Sequence, residues 1–106
     1  MPSYKPPADV ARAARRGLQI RAAQTPSNRA GTAVGLARAR QLSNRQPVSL
    51  DTVRRMSSFF ARHGASPGSA AARRDRPTSK AAQAWLLWGG NAGRRWAARI
   101  QADQDE

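Results

Sequence analysis

The run Ala84-Trp85-Leu86-Leu87-Trp88 is the only dense apolar stretch in the chain, and residues 77–98 around it (PTSKAAQAWLLWGGNAGRRWAA) contain all three tryptophans. A chain with so little other bulk has to build its core here. Read as a helix from about Ser79, the segment is apolar nearly all round, interrupted only by Lys80 and Gln83, which is the pattern of a buried helix. Gly89 then fits the residue just past a helix end, where positive φ is required, and Asn91 fits the N-cap of a second helix. On that second helix Gly93, Trp96 and Ile100 share a face, and Arg94 and Arg95 point elsewhere. The expectation is a tight helical corner with Trp85 and Trp88 in the core. Trp96, following two arginines, is the tryptophan expected to be partly exposed and free to stack on a base.

Length supports one domain, because 106 residues bury roughly 60–70% of their unfolded surface. Much of the apolar content is alanine, so the core leans on few large side chains. With no cysteine and one histidine, thiol chemistry, disulfides and Cys/His zinc sites are excluded. No apolar run approaches the ~20 residues of a membrane span, and MPSYKPP lacks the features of a secretory signal.

Charge is the second constraint. There are 19 basic and 6 acidic residues, a net charge of +13, and all the basic residues but Lys5 and Lys80 are arginine. The guanidinium fork pairs well with phosphate and carboxylate, so a polyanionic partner is indicated. A GC-rich coding sequence also favours arginine over lysine, but it does not remove acids.

Along the chain, residues 1–7 read as an extended proline-bearing arm. A basic helical domain occupies residues 8–102, and residues 103–106 lie in an acidic tail. A first helix runs from about Ala8 to Ala23. Val10, Ala13, Ala14, Gly17, Leu18 and Ile20 form its apolar face, opposite Arg12, Arg15 and Arg16. After a loop, Thr32 caps a helix over about Ala33 to Leu42. Ser49 caps a third, in which Leu50, Val53, Met56, Phe59 and Phe60 form an apolar arc opposite Arg54, Arg55, Ser58 and Arg62, with Gly64 ending it. Residues 64–78, rich in Gly, Ser, Ala and Pro and carrying Arg73, Arg74 and Arg76, read as a flexible loop. No strand signal is present. The predicted class is all-α, about five short helices around a tryptophan-centred corner.

Catalytic constellations are sparse. His63 sits at the end of an apolar arc without a nucleophile partner and reads as a structural histidine near a helix C-terminus. Three of the six acids, Asp103, Asp105 and Glu106, fall in the tail, too isolated for a carboxylate pair or a magnesium site. Neither GLARARQ nor GGNAGRR matches a phosphate loop. The expectation is a non-enzymatic protein without metal or cofactor. Thr32 to His63 has a faint helix-turn-helix look, with Ser49, Asp51, Thr52 and Arg55 placed for a groove, although SNRQPV is long for the turn. The basic segments (Arg12, Arg15, Arg16; Arg38, Arg40, Arg45; Arg54, Arg55, Arg62; Arg73, Arg74, Arg76; Arg94, Arg95) form the last constellation and are spread over every element. Such a distribution suits sequence-independent phosphate contact better than base readout.

The blocks AARRGLQIR, AGTAVGLARARQLSN, VSLDTVRRMSSFFARH and AWLLWGGNAGRRWA together resemble a family of short tailed-phage proteins of the cyanophage type. The resemblance spans about residues 11–98, and SFFARH and AWLLWGG are its most specific parts. It implies an acidic-plus-lysine segment after the histidine and an Asp after WGG. Here Gly64-Ala65 and Asn91 stand instead, so an acid-dependent site would be lost in this chain. The resemblance carries no established activity, and the functional expectation rests on charge. That expectation is a phage-encoded basic protein binding nucleic acid, phage DNA first, in the host cytoplasm during infection. The alternative is a virion structural protein (cement, connector or internal) gripping acidic capsid or tail surfaces, and no sequence feature speaks for a host-directed inhibitor.

Overall fold

The computed structural model describes residues 2–104 and places Trp85, Trp96, Phe59, Phe60 and Met56 in one buried cluster with Val10, Ala14 and Ile100. Among the described residues there are six α-helices: α1 Ala8–Ala23, α2 Ala33–Ser43, α3 Leu50–Gly64, α4 Ser69–Asp75, α5 Lys80–Leu87 and α6 Gly90–Gln104. A single 3-10 turn covers Pro26–Asn28. The radius of gyration, 13.2 Å, matches the ~13 Å expected of one folded domain of about 100 residues.

The chain is all-α in its helical mass, but two short strands correct the expectation of none. β1 (Ser3–Tyr4) pairs antiparallel with β2 (Val48–Ser49), in register Ser3 with Ser49 and Tyr4 with Val48. Two-residue strands carry no alternation for a sequence to show. The N-terminal arm is extended and docked: Pro6 is fully buried, Arg45 Nε donates to Pro6 O at 2.9 Å, and Gln104 Nε2 donates to Tyr4 Oη at 3.1 Å. Arg45 has φ +53, left-handed backbone that turns the chain out of α2 towards β2.

Caps account for three helix starts. The side-chain oxygens of Thr32, Ser49 and Ser79 accept from the N–H groups of Gly35, Thr52 and Ala82. Each satisfies a donor that the first helical turn leaves orphaned. Asp51, in the first turn of α3, adds a favourable charge at the dipole's positive end. Helix α1 is the central element and packs on α2, α5 and α6, whereas α3 packs mainly on α6. Since α2 and α3 have different principal partners, the helix-turn-helix reading of Thr32–His63 finds no support.

The segment 64–78, expected to be all loop, is helical in part. After a turn with Gly68 at φ +80, Ser69–Asp75 forms α4, which makes six helices rather than five. The acidic tail is corrected in part: Asp103 and Gln104 belong to α6, and Asp105 and Glu106 lie outside the described residues.

At the tryptophan corner, Gly89 (φ +109) and Gly90 (φ +63) reverse the chain between α5 and α6. Asn91 does not cap α6, which already begins at Gly90. Trp85 is buried as expected, but the other two tryptophans reverse the expectation, with Trp96 buried and Trp88 half-buried. Trp96 shares its face with Gly93, Ala97 and Ile100, all buried, so the arginines beside it in sequence lie on another side of the helix. Gln83, which interrupts the apolar pattern of α5, is fully buried. Its Nε2 donates to Asn28 O (2.8 Å) and Thr78 O (2.7 Å), and its Oε1 accepts from Ala30 N (2.9 Å). These bonds tie the loop after α1 to α5 and leave no amide atom of Gln83 unpaired.

Candidate functional site

The arginines sort into distinct groups once their partners are known. Several serve the fold. Arg15 Nη2 donates to Ser43 O at 3.0 Å, linking α1 to the end of α2, and Arg45 holds the arm. Arg38 Nη1 donates to Gln41 Oε1 at 2.6 Å. Arg21 and Arg29, which sequence reasoning did not single out, bond the carbonyls of Ala30, Gln24 and Ala22. A guanidinium committed to main-chain carbonyls is a staple, and its fork is partly spent before any ligand arrives.

A second group, Arg54, Arg55 and Arg62 on α3, borders a shallow hollow of about 390 Å³ with Val34, Ser58 and Trp88. Asp51 lies among them, and Arg55 Nε reaches its Oδ2 at 3.2 Å across one helical turn. This is the one ion pair among the described residues, and both side chains are exposed, so it contributes little stability. It does reduce the positive field of that face. Arg12, Arg40 and Arg76 are exposed and border neither hollow.

The third group converges. Arg16 from α1, Arg73 and Arg74 from α4, and Arg94 and Arg95 from α6 border one groove of about 690 Å³. Its floor is apolar, formed by Ile20, Ala82, Trp85 and Leu86, with Asn91 as its uncharged polar group. Neither a carboxylate nor a histidine lines it. The convergence follows from packing: α1 and α5 lie against each other, α6 folds back at Gly89–Gly90, and α4 packs on α3 and α5.

Trp85 ties this groove to the core. Its ring makes an edge contact with Phe60, with centroids 4.7 Å apart, and its Nε1–H donates to Asn91 Oδ1 at 2.8 Å. The Arg73 guanidinium carbon lies 3.6 Å from the Trp85 ring centroid, a cation–π contact that anchors α4. Burial of Arg73, and secondarily the neighbouring charge of Arg94, pulls its pKa below the ordinary arginine value. Arginine remains charged at any physiological pH. The larger cause is burial of the guanidinium, and only the smaller one reflects a like charge close by.

The resemblance implied an acid at position 91, and Asn91 supplies the acceptor that Trp85 needs without one. His63 is exposed, with its ring centroid 4.3 Å from that of Phe59, and it borders neither hollow. Among the described residues there is no group of three or more His, Cys, Asp or Glu side chains able to hold a metal ion, and no helix is long and apolar enough to cross a membrane. The groove therefore offers positive charge and apolar surface, and no group that exchanges a proton near neutral pH. No family model matches the chain, and no curated protein or solved structure matches it either.

Proposed function

We propose that the protein is a non-enzymatic nucleic-acid-binding protein that grips backbone phosphates, independent of sequence, through Arg16, Arg73, Arg74, Arg94 and Arg95. The observation that carries this reading is the meeting of five arginines from three helices on one groove that no carboxylate lines. A polyanion gains from such a cluster twice, through direct guanidinium–phosphate bonds and through release of its condensed counterions. Five arginines also match a linear array of charges better than a single carboxylate. The net charge of +13 adds long-range attraction to any polyanion. The resemblance to short tailed-phage proteins suggests the setting, a phage genome or transcript inside an infected cell.

The test is binding to random-sequence nucleic acid at two salt concentrations. Five phosphate contacts predict a fall in affinity of about 10²–10³-fold between 50 and 200 mM salt, with little dependence on sequence. Absence of binding at the lower salt overturns the reading. Saturable binding to acidic virion proteins in its place would then favour a structural role in the particle.

A further inference from the structure

The phosphate-binding reading leaves open which form of nucleic acid the groove takes, and the inference here rests on that reading. Charge is only half of the groove. Ile20 and Leu86 give it an apolar floor, with Trp85 beneath Arg73. A duplex turns phosphates and sugars outward and keeps its bases stacked, so it has nothing to set on such a floor unless a base leaves the stack. The bases of a single strand are free to leave. At about 690 Å³ the groove lies within the range of sites that enclose small organic groups, roughly 300–1,000 Å³, so a base with its sugar fits.

Arg73 decides where such a base would rest. Its guanidinium carbon is 3.6 Å from the Trp85 ring centroid, which is stacking distance, so the indole covers one side. The residue is only half-buried and lines the groove, which leaves its other side to a ligand. Bases stack on guanidinium planes as they do on aromatic rings. Arg94 borders the same groove, placed to take an adjoining phosphate. We propose that the groove holds an unpaired base of a single-stranded nucleic acid, stacked on the open side of the Arg73 guanidinium, with the flanking phosphates on Arg94 and the rim arginines. The stack then runs base, guanidinium, indole, and continues through Trp85 into the core at Phe60.

The experiment compares three probes on the full chain at one salt concentration: oligothymidylate, an abasic strand of equal length, and a random duplex. Stacking of a base on such a platform corresponds to roughly 5- to 150-fold in affinity, so oligothymidylate should bind at least about tenfold tighter than the abasic strand. Arg73→Lys keeps the charge and removes the plane, so it should bring the affinities for the two strands to within about twofold of each other. Equal binding of thymidine and abasic strands by the wild-type chain overturns the inference and leaves the phosphate reading standing. A preference that survives in folded Arg73→Lys overturns it as well, and should that variant not fold, the wild-type comparison decides alone. Failure to bind any of the three probes overturns both readings.

Discussion

The indole Nε1–H of Trp85 donates to Oδ1 of Asn91 at 2.8 Å, and this bond closes the corner between α5 and α6. The two residues are brought together by Gly89 and Gly90, whose φ values of +109 and +63 reverse the chain. Trp85 is 4% exposed, so its N–H has little access to water as a substitute partner. The same ring carries Arg73. One side chain thus joins the core, the corner and the groove.

Asn91→Ala leaves that indole donor unpaired and should cost about 1–3 kcal/mol of stability. Asn91→Asp retains an acceptor and places a carboxylate in the first turn of α6, where the dipole favours it, so its melting temperature should equal or exceed that of the wild type. Because position 91 borders the groove, the new charge should nevertheless weaken nucleic-acid binding. A melting curve and a binding isotherm on Asn91→Asp check both halves, and parallel losses would mean that the bond needs the amide itself.

The three tryptophans should not be equivalent. Trp85 and Trp96 are buried, whereas Trp88 is half-buried, stacked on Phe59 at a centroid distance of 5.1 Å. Substituting alanine at 85 or 96 should cost about 3–5 kcal/mol, enough to unfold much of a marginally stable small domain. Trp88→Ala should cost visibly less, because part of its surface never leaves water. Denaturant midpoints for the three variants give the order directly.

Much of this fold is legible in the sequence, and the reasons are local. Thr32, Ser49 and Ser79 announce helix starts because capping needs one oxygen at one spacing. The arc from Leu50 to Phe60 announces a buried face because its period is helical. Helix α4 is not legible: its seven residues include none that is buried, and the stacking of Arg73 on Trp85 that helps hold it to the body is a tertiary event. The exposures of Trp88 and Trp96 depend on which helix packs against which, and Arg94 and Arg95 beside Trp96 carry no information about that. The groove follows the same rule. Each of its five arginines is a candidate from sequence, but only packing separates them from Arg15 and Arg45, which serve the fold.

Gly17 marks the closest approach of α1 to α5. A Cβ there would stand 2.9 Å from both Leu86 Cβ and the Leu87 backbone nitrogen. Alanine for glycine within a helix ordinarily stabilises by roughly 0.5–1 kcal/mol. Here the backbone nitrogen cannot move aside without parting the helices, so Gly17→Ala should destabilise by about 1–3 kcal/mol. Thermal melting decides it, and a raised melting temperature would show that α1 and α5 leave room between them for a methyl group.

The two exposed arginine sets separate the possible modes of binding. Sequence alone makes them equal, since Arg54, Arg55 and Arg62 number the same as Arg74, Arg94 and Arg95. The structure does not. Arg55 is already paired with Asp51, and that carboxylate shares a hollow with Arg54 and Arg62, whereas the groove has no acidic lining. Replacing Arg74, Arg94 and Arg95 by Gln should lower the logarithmic salt slope by about 2–3, at roughly 0.7–0.9 for each phosphate no longer neutralised. Replacing the α3 set should lower it by less than about 1. Neither triple variant should melt early, because all six side chains are exposed and Arg73 keeps its place on Trp85. Binding titrations across a salt series measure both slopes on one nucleic acid. Equal flattening by the two sets would mean that the whole surface, and not the groove, holds the ligand. An effect confined to the α3 set and to one preferred sequence would instead point to groove reading by that helix, where removing one bidentate base pairing costs about 1–3 kcal/mol on its own site and less elsewhere.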